Sequence, residues 1–378
     1  MPSRAEVLRV LRVLRVLRVL RVLRVRKPRA PRTLRTLRTL RTLSTLLPAS
    51  LSAQGSVVGI VVARESGEPL AHSVIAVPSL EIHRFANDSG TFVLRALPPG
   101  SFALHIRRLG YAPKDLMLTV RAGAQDSLRI ELTRVALKLA PVQVRANPSC
   151  TTPGLRAVTD SSLLTLLTQL QMNGEQYRLL SERYPFVYSQ ELIVSSELRD
   201  GETRIDDIDT VVVASKPPWR YRPGRILTRP TRRQRGEVFF NIPTLLDFAD
   251  PLFLDNHCFV DGGLDHVDGT DLLRIDLYAW AKIENPDVNG SIFLDPNTFQ
   301  IRRSVLRLSR SPKVKGLIDL EVTTVFQEAL ASIPIVSQVL GVQRFDPRDK
   351  KRAILAGYEH HRLVGFHFVG RKPGDDPR

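Results

Sequence analysis

From Ser56 onward the chain breaks into short apolar runs separated by turn residues: SVVGIVVA, SGEP, LAHSVIAV, NDSG, TFVLRA, LPPG and SFALHIRRL. Runs that recur every roughly 8 to 12 residues with Gly and Pro between them predict an antiparallel β-sandwich. Alternation within the runs gives each strand two faces: Phe92 and Leu94 share one side and Thr91, Val93 and Arg95 the other, while Phe102, Leu104 and Ile106 repeat the device. The Asp88-Ser89-Gly90 stretch predicts a corner in which Asp88 supplies an Asx-type side chain and Gly90 tolerates positive φ; Pro98-Pro99-Gly100 predicts another turn.

The pattern then changes. Asn147-Pro148 and Pro153-Gly154 bracket Cys150 and predict a short linker. Asp160 or Ser161 can cap a helix running through Leu163, Leu164, Leu167 and Leu170 toward Leu180, since apolar residues three and four apart share a helix face. Strand-like runs follow at 186–194, 205–213, 272–280, 291–294, 299–308, 317–326 and 354–369, with Asp295-Pro296-Asn297-Thr298 as a hairpin turn. One helix followed by a long antiparallel sheet predicts a curved, half-barrel-like domain. The expected fold class is mainly β: a sandwich over 55–145, a linker over 146–160, an α+β half-barrel over 161–370 and a disordered tail over 371–378.

Residues 1–54 stand apart. Leu-Arg-Val recurs six times between Leu8 and Val25, and Arg-Thr-Leu four times between Arg32 and Leu43. A period of three drifts around a helix, so no lasting apolar face forms, and an arginine every third residue excludes a transmembrane span. The run Leu43–Ala53, with Ser50, Ser52 and Ala53 before Gln54, has the layout of a secretory signal cleaved near Ala53. Residues 1–50 hold +13 of the formal charge of +17, leaving +4 for the rest. A body this near neutrality, with its cations dispersed apart from Arg229–Arg235, does not predict nucleic-acid binding by the folded part.

Six pieces in order across about 90 residues resemble the carboxypeptidase regulatory-like, or transthyretin-like, domains of the carbohydrate-binding-like fold. They are Gly59, Gly67-Glu68-Pro69-Leu70, Val74–Val77, Asp88-Ser89-Gly90-Thr91-Phe92, Leu97-Pro98-Pro99-Gly100-Ser101-Phe102 and Leu109-Gly110-Tyr111-Ala112-Pro113. The resemblance implies a seven-stranded sandwich serving envelope proteins as a docking or ligand-recognition module, with a carbohydrate among the conceivable ligands. It makes Gly59, Pro69, Asp88, Gly90, Phe92, Pro99, Gly100, Gly110 and Tyr111 structural and implies no peptidase chemistry. Leu137–Val144 resembles the stretch preceding the plug of TonB-dependent outer-membrane receptors; with no transmembrane β-barrel after it, the sequence leaves a receptor role in doubt. The segments Phe253–Phe259, Leu272–Leu277 and Gly290–Asp295 are similar in layout to lipoprotein-carrier half-barrels, which implies an acyl-chain site. Phe239, Phe240, Leu273, Phe293, Leu306 and Phe326 are the expected lining.

Recognisable catalytic patterns are missing from the sequence: no His-x-x-Glu, His-Glu-x-x-His, Gly-x-Ser-x-Gly or phosphate loop occurs. His360, His361 and His367 form the densest histidine group, but neighbours on a strand point to opposite faces, so they are expected to be ordinary exposed strand residues. Asp206-Asp207 and Asp265 with Asp268 read as solvated turn carboxylates rather than a glycosidase pair, and His257 beside Cys258 reads as structural. The count of two cysteines supports either free thiols or one bond; export favours a Cys150–Cys258 disulfide. The sequence therefore predicts an exported, non-enzymatic protein of the periplasm or outer membrane, with no cofactor and with an envelope protein, glycan or lipid as partner. A lipid or acyl-chain carrier and a hydrolase with an unrecognised catalytic half are the alternatives.

Overall fold

A computed structural model describes residues 54–137, 149–216, 219–228, 239–311, 314, 316–330 and 333–372. The signal-like segment, the basic repeats, the basic run at 229–235, most of the receptor-like stretch 137–144, the 145/146 boundary and most of the tail lie outside these residues.

The first seven strands are β1 (Gly55–Ala63), β2 (Val74–Val77), β3 (Ile82–Phe85), β4 (Thr91–Leu97), β5 (Gly100–Arg107), β6 (Lys114–Val120) and β7 (Gln125–Leu132). They form two sheets, ordered β4-β1-β7 and β3-β2-β5-β6. Val57, Val61, Ile75, Leu94, Leu104 and Ile130 are fully buried between the sheets, the inward half of the alternation along each strand. One pairing departs from the antiparallel expectation: β1 and β7 run parallel, from Ser56 opposite Gln125 to Ala63 opposite Leu132. Parallel partners need a long crossover, and here five intervening strands supply it.

The corner after β3 also differs from expectation. Asn87, not Asp88, is the Asx residue: its Oδ1 accepts from the backbone of Ser89 at 3.1 Å and of Thr91 at 2.9 Å. Asp88 points to solvent, 3.5 Å from His72. Gly90 closes the turn at φ +71°, where a β-carbon would stand 2.7 Å from the carbonyl oxygen of Val61.

Beyond the linker, Asp160 caps helix α1 (Ser161–Arg183), its carboxylate accepting from the amides of Ser162 and Leu163 at 2.7 and 3.2 Å. The strands that follow are β8 (Phe186–Leu198), β9 (Thr203–Ala214), β10 (Leu227–Thr228) and β11 (Phe239–Phe240). Two single-turn helices, α2 (Leu245–Phe248) and α3 (Pro251–Leu254), lead into β12 (His257–Val267) and β13 (Thr270–Ala279). The chain continues through β14 (Val288–Leu294), β15 (Ile301–Leu308), β16 (Leu317–Leu330), β17 (Ile333–Phe345) and β18 (Ile354–Phe368). Nine of these strands make one open antiparallel sheet, β12-β13-β14-β15-β16-β17-β18-β8-β9. β12 and β17 are strands that the sequence pattern alone does not mark. Leu163, Leu166, Leu167 and Leu170 of α1 pack into one core with Ile275, Ile292, Leu306 and Val322 of the sheet. Further along, Leu180 meets Phe186, Tyr188, Val213 and Ile335.

The buried side chain of Gln169 joins the sandwich to this helix. Gln169 Oε1 accepts from the Gly110 amide at 2.9 Å, and Gln169 Nε2 donates to the Tyr111 carbonyl at 3.2 Å. Gln169 is fully buried, so both bonds replace water that it cannot reach. One helical turn on, Asn173 donates to the Phe299 carbonyl at 2.8 Å and accepts from the Ile301 amide at 3.0 Å, fixing α1 to the start of β15.

Candidate functional site

Between α1, the β8–β9 and β16–β17 strands and the loop entering α2 lies a cavity of about 740 Å³, its open mouth included. The pleat of β8 puts Phe186, Tyr188, Gln190 and Leu192 on the inward face, and Tyr188 and Gln190 reach the cavity. Val213 stands opposite Tyr188 on β9; Thr324 and Phe326 come from β16, Val336 and Val339 from β17. The loop Ile242-Pro243-Thr244 closes the near side, held by a capping box in which Thr244 donates from its amide and hydroxyl to Asp247 at 2.7 and 2.8 Å.

Among the described residues the lining is mostly aliphatic and aromatic and includes no Lys, Arg, His, Asp or Glu. Burial pushes the Tyr177 and Tyr188 phenols up, so both stay neutral at physiological pH. The Tyr177 hydroxyl donates to the Ser215 carbonyl at 3.0 Å. Gln190 is 1% exposed, and its Nε2 has no hydrogen-bond partner. The described lining offers no group that could give or take a proton near neutrality, but it can shed water and hold an apolar molecule.

A second polar cluster is sealed in the core. Asp287 accepts from the Tyr221 hydroxyl at 2.9 Å, the Gly224 amide at 2.7 Å and the Val288 amide at 2.8 Å. His257 Nδ1 donates to the Phe253 carbonyl at 2.8 Å, its ring stacks on Phe253 at 4.1 Å, and its Nε2 lies 3.7 Å from Asp287. Burial, followed by the Asp287 charge, holds the Tyr221 phenol far above its ordinary value. His257 and Asp287 have no exposed surface, so this cluster braces the loop before β10 against β12 and β14.

The structure joins Cys150 to Cys258 in a disulfide with Cα atoms 5.5 Å apart, which leaves no thiol beside His257. Beside it the Gly154 amide donates to the His257 carbonyl at 3.0 Å. Gly59, Pro69, Asp88, Gly90, Phe92, Pro99 and Gly100 are spread over the sandwich, away from the cavity under α1, while Gly110 and Tyr111 meet at the Gln169 joint.

Several sequence expectations are corrected. His361 is buried, not exposed: its Nε2 lies 2.8 Å from Glu359 Oε1, while His360 is half-buried and His367 exposed. Asp206 belongs to β9 rather than a turn, with a side chain 3% exposed that pairs with Arg204 at 2.7 Å and also bonds Ser196. Asp265 lies in β12 and pairs with Arg274 at 2.8 Å, while Asp268, in the following turn, pairs with Arg303. Of the expected acyl-chain lining, only Phe326 reaches the cavity; Phe240, Leu273, Phe293 and Leu306 are packed interior, and the Phe239 side chain lies outside the described residues. Gln190, Tyr188, Tyr177 and the 242–246 loop are what sequence reasoning missed. The signal for Gln190 is its position: it alternates in phase with Phe186, Tyr188 and Leu192 and so must face inward.

Among the described residues, no group of three or more His, Cys, Asp or Glu is placed to share a metal ion, and no helix is long and apolar enough to cross a membrane.

Residues 56–133 match the family model of the carboxypeptidase regulatory-like domain. No curated protein matches the chain. Among solved structures, a minor pilin of Streptococcus agalactiae is 16% identical over 24% of this chain, with TM-score 0.20; this chain spans 48% of its length. A DUF1329 family protein from Desulfovibrio piger is 12% identical, covering 56% of this chain and 95% of its own, with TM-score 0.30. A putative outer membrane lipoprotein-sorting protein domain from Vibrio parahaemolyticus is 9% identical, covering 55% and 96%, also with TM-score 0.30.

Proposed function

We propose that this chain, built on a carboxypeptidase regulatory-like sandwich over 55–145, is an exported, non-enzymatic binding protein of the cell envelope. Its 161–370 domain holds an apolar ligand in the cavity under α1, and its sandwich is a docking module for a partner in the periplasm or at the outer membrane. The cavity carries the reading: an open cleft lined, among the described residues, by apolar side chains and by no titratable group other than tyrosine suits binding better than acid–base chemistry. Export is supported by the Cys150–Cys258 bond, which persists in oxidising compartments, and by the signal-like run ending near Ala53.

The test is uptake of the neutral fluorophore N-phenyl-1-naphthylamine by the full chain purified from an oxidising compartment. Saturable fluorescence enhancement is expected. Val339→Lys, which sets a charge into the lining, should weaken uptake at least tenfold while leaving the circular dichroism spectrum unchanged. A wild-type protein that never enhances the probe would end the proposal.

A further inference from the structure

The two edges of the nine-stranded sheet are finished differently. At β12 the Gly154 amide lies on the His257 carbonyl, and the Cys150–Cys258 bond holds that segment in place. At β9 no strand pairs with the outer side among the described residues, and from Thr203 to Thr210 every residue except Asp206 is exposed. An edge left in this state offers its N–H and C=O groups to another chain.

The ladder decides which groups are offered. The Ser215 amide donates to the Phe186 carbonyl at 2.9 Å, so, by antiparallel alternation, Val213, Val211 and Asp209 are the residues that exchange bonds with β8. The N–H and C=O of Ile208, Thr210 and Val212 therefore point away from the sheet. Thr210 spends its amide on the Asp209 carboxylate at 2.7 Å, whereas the Ile208 and Val212 amides make no such bond among the described residues.

Side chains along this edge are sorted by face. Asp207 and Asp209 stand opposite Val194 and Leu192, on the face of Tyr188 and Gln190. Ile205, Ile208 and Val212 stand opposite Ser195, Ile193 and Ser189 on the other face, and are 61%, 59% and 46% exposed. An acidic stripe thus runs along one side of the edge and an apolar stripe along the other. Arg204 is engaged by Asp206 at 2.7 Å, and no cation pairs with Asp207 or Asp209 among the described residues. Charge selects the occupant: a second copy set edge to edge would bring both sets of carboxylates together, and like charges across a strand pair are destabilising.

We propose that the open edge of β9 docks an extended segment of another protein in which Lys or Arg alternates with Val, Ile or Leu. The segment adds to the sheet as a further strand, bonding the Ile208 and Val212 backbone, with its cations beside Asp207 and Asp209 and its aliphatic side chains beside Ile208 and Val212. Docking here is independent of what the cavity holds.

The experiment is fluorescence anisotropy of a labelled octapeptide alternating Val and Lys, titrated at low salt with the full chain purified from an oxidising compartment. A block octapeptide of the same composition and an octapeptide alternating Val and Glu are the controls. The alternating basic peptide should bind about fivefold tighter than the block peptide, and the acidic one should show no saturable binding. The double variant Asp207→Asn/Asp209→Asn should bind the basic peptide about fivefold more weakly, as for the loss of two cross-strand ion pairs. By hydrogen exchange, the Ile208 and Val212 amides should gain protection in the complex, which attraction between charges alone does not produce. Equal binding of alternating and block peptides, or no binding of either, overturns the assignment. A wild-type dimer whose Ile208 and Val212 amides are protected without peptide overturns it as well, since a second copy is then the occupant. Should the variant not fold, the wild-type peptide comparison and the exchange at Ile208 and Val212 decide the matter.

Discussion

Gly59 sits in the middle of β1, opposite Phe92 on β4, and the Phe92 ring occupies the place a β-carbon would take. The ring covers the strand instead of a side chain at position 59, a close approach that only glycine permits. Gly59→Ala is therefore expected to cost about 2 kcal/mol through overpacking, read from urea unfolding of the full chain. Adding Phe92→Leu should recover part of that loss, and an alanine variant as stable as wild type would show that the ring is not what requires glycine. At this scale much was legible, because Gly and Pro have few uses in a strand-and-turn pattern. The Asn87-Asp88 pair shows where legibility ends: both residues can form an Asx turn, and only the strand geometry decides that Asn87 faces the Ser89 and Thr91 amides. Gln190 illustrates the same limit on the functional side. Its phase along β8 predicts an inward side chain, but nothing local says whether the space there is filled or open.

At the level of elements, α1 was readable from its leucines and its Asp160 cap, but not its role. Gln169, Asn173 and Gln176 fall three and four residues apart and would ordinarily mark a solvated face; here all three are buried. Two of them satisfy backbone groups that arrive from distant segments, the sandwich loop at Gly110 and the start of β15, which no local pattern can disclose. Gln169→Leu should strand the Gly110 amide and the Tyr111 carbonyl, at a cost of about 1–3 kcal/mol. Hydrogen exchange is the direct readout: the Gly110 amide should lose protection while amides within β1 and β7 keep theirs. Unchanged protection at Gly110 would show that water or another group replaces Gln169 there. β17 escaped for a different reason, since Pro334 near its start argues against a strand until its place near the strand's beginning is known.

For the molecule as a whole, the Cys150–Cys258 bond closes a loop with a sequence separation of 108 residues. By the loop-entropy argument such a closure is worth about 5 kcal/mol. Urea unfolding with and without a phosphine reductant should differ by that order, and a Cys150→Ala/Cys258→Ala double variant should match the reduced protein and ignore the reductant. Identical midpoints in both conditions would mean that the bond contributes nothing to stability. The same residues have a second consequence, for β12 is an edge of the nine-stranded sheet. The bonded segment lays the Gly154 amide on the His257 carbonyl, and further along a bulge turns the Gly263 amide onto the Asp261 carboxylate. Between them they occupy polar groups that would otherwise invite a foreign strand to add on. The crosslink that steadies one copy thus also covers part of the edge on which a second copy would have to pair.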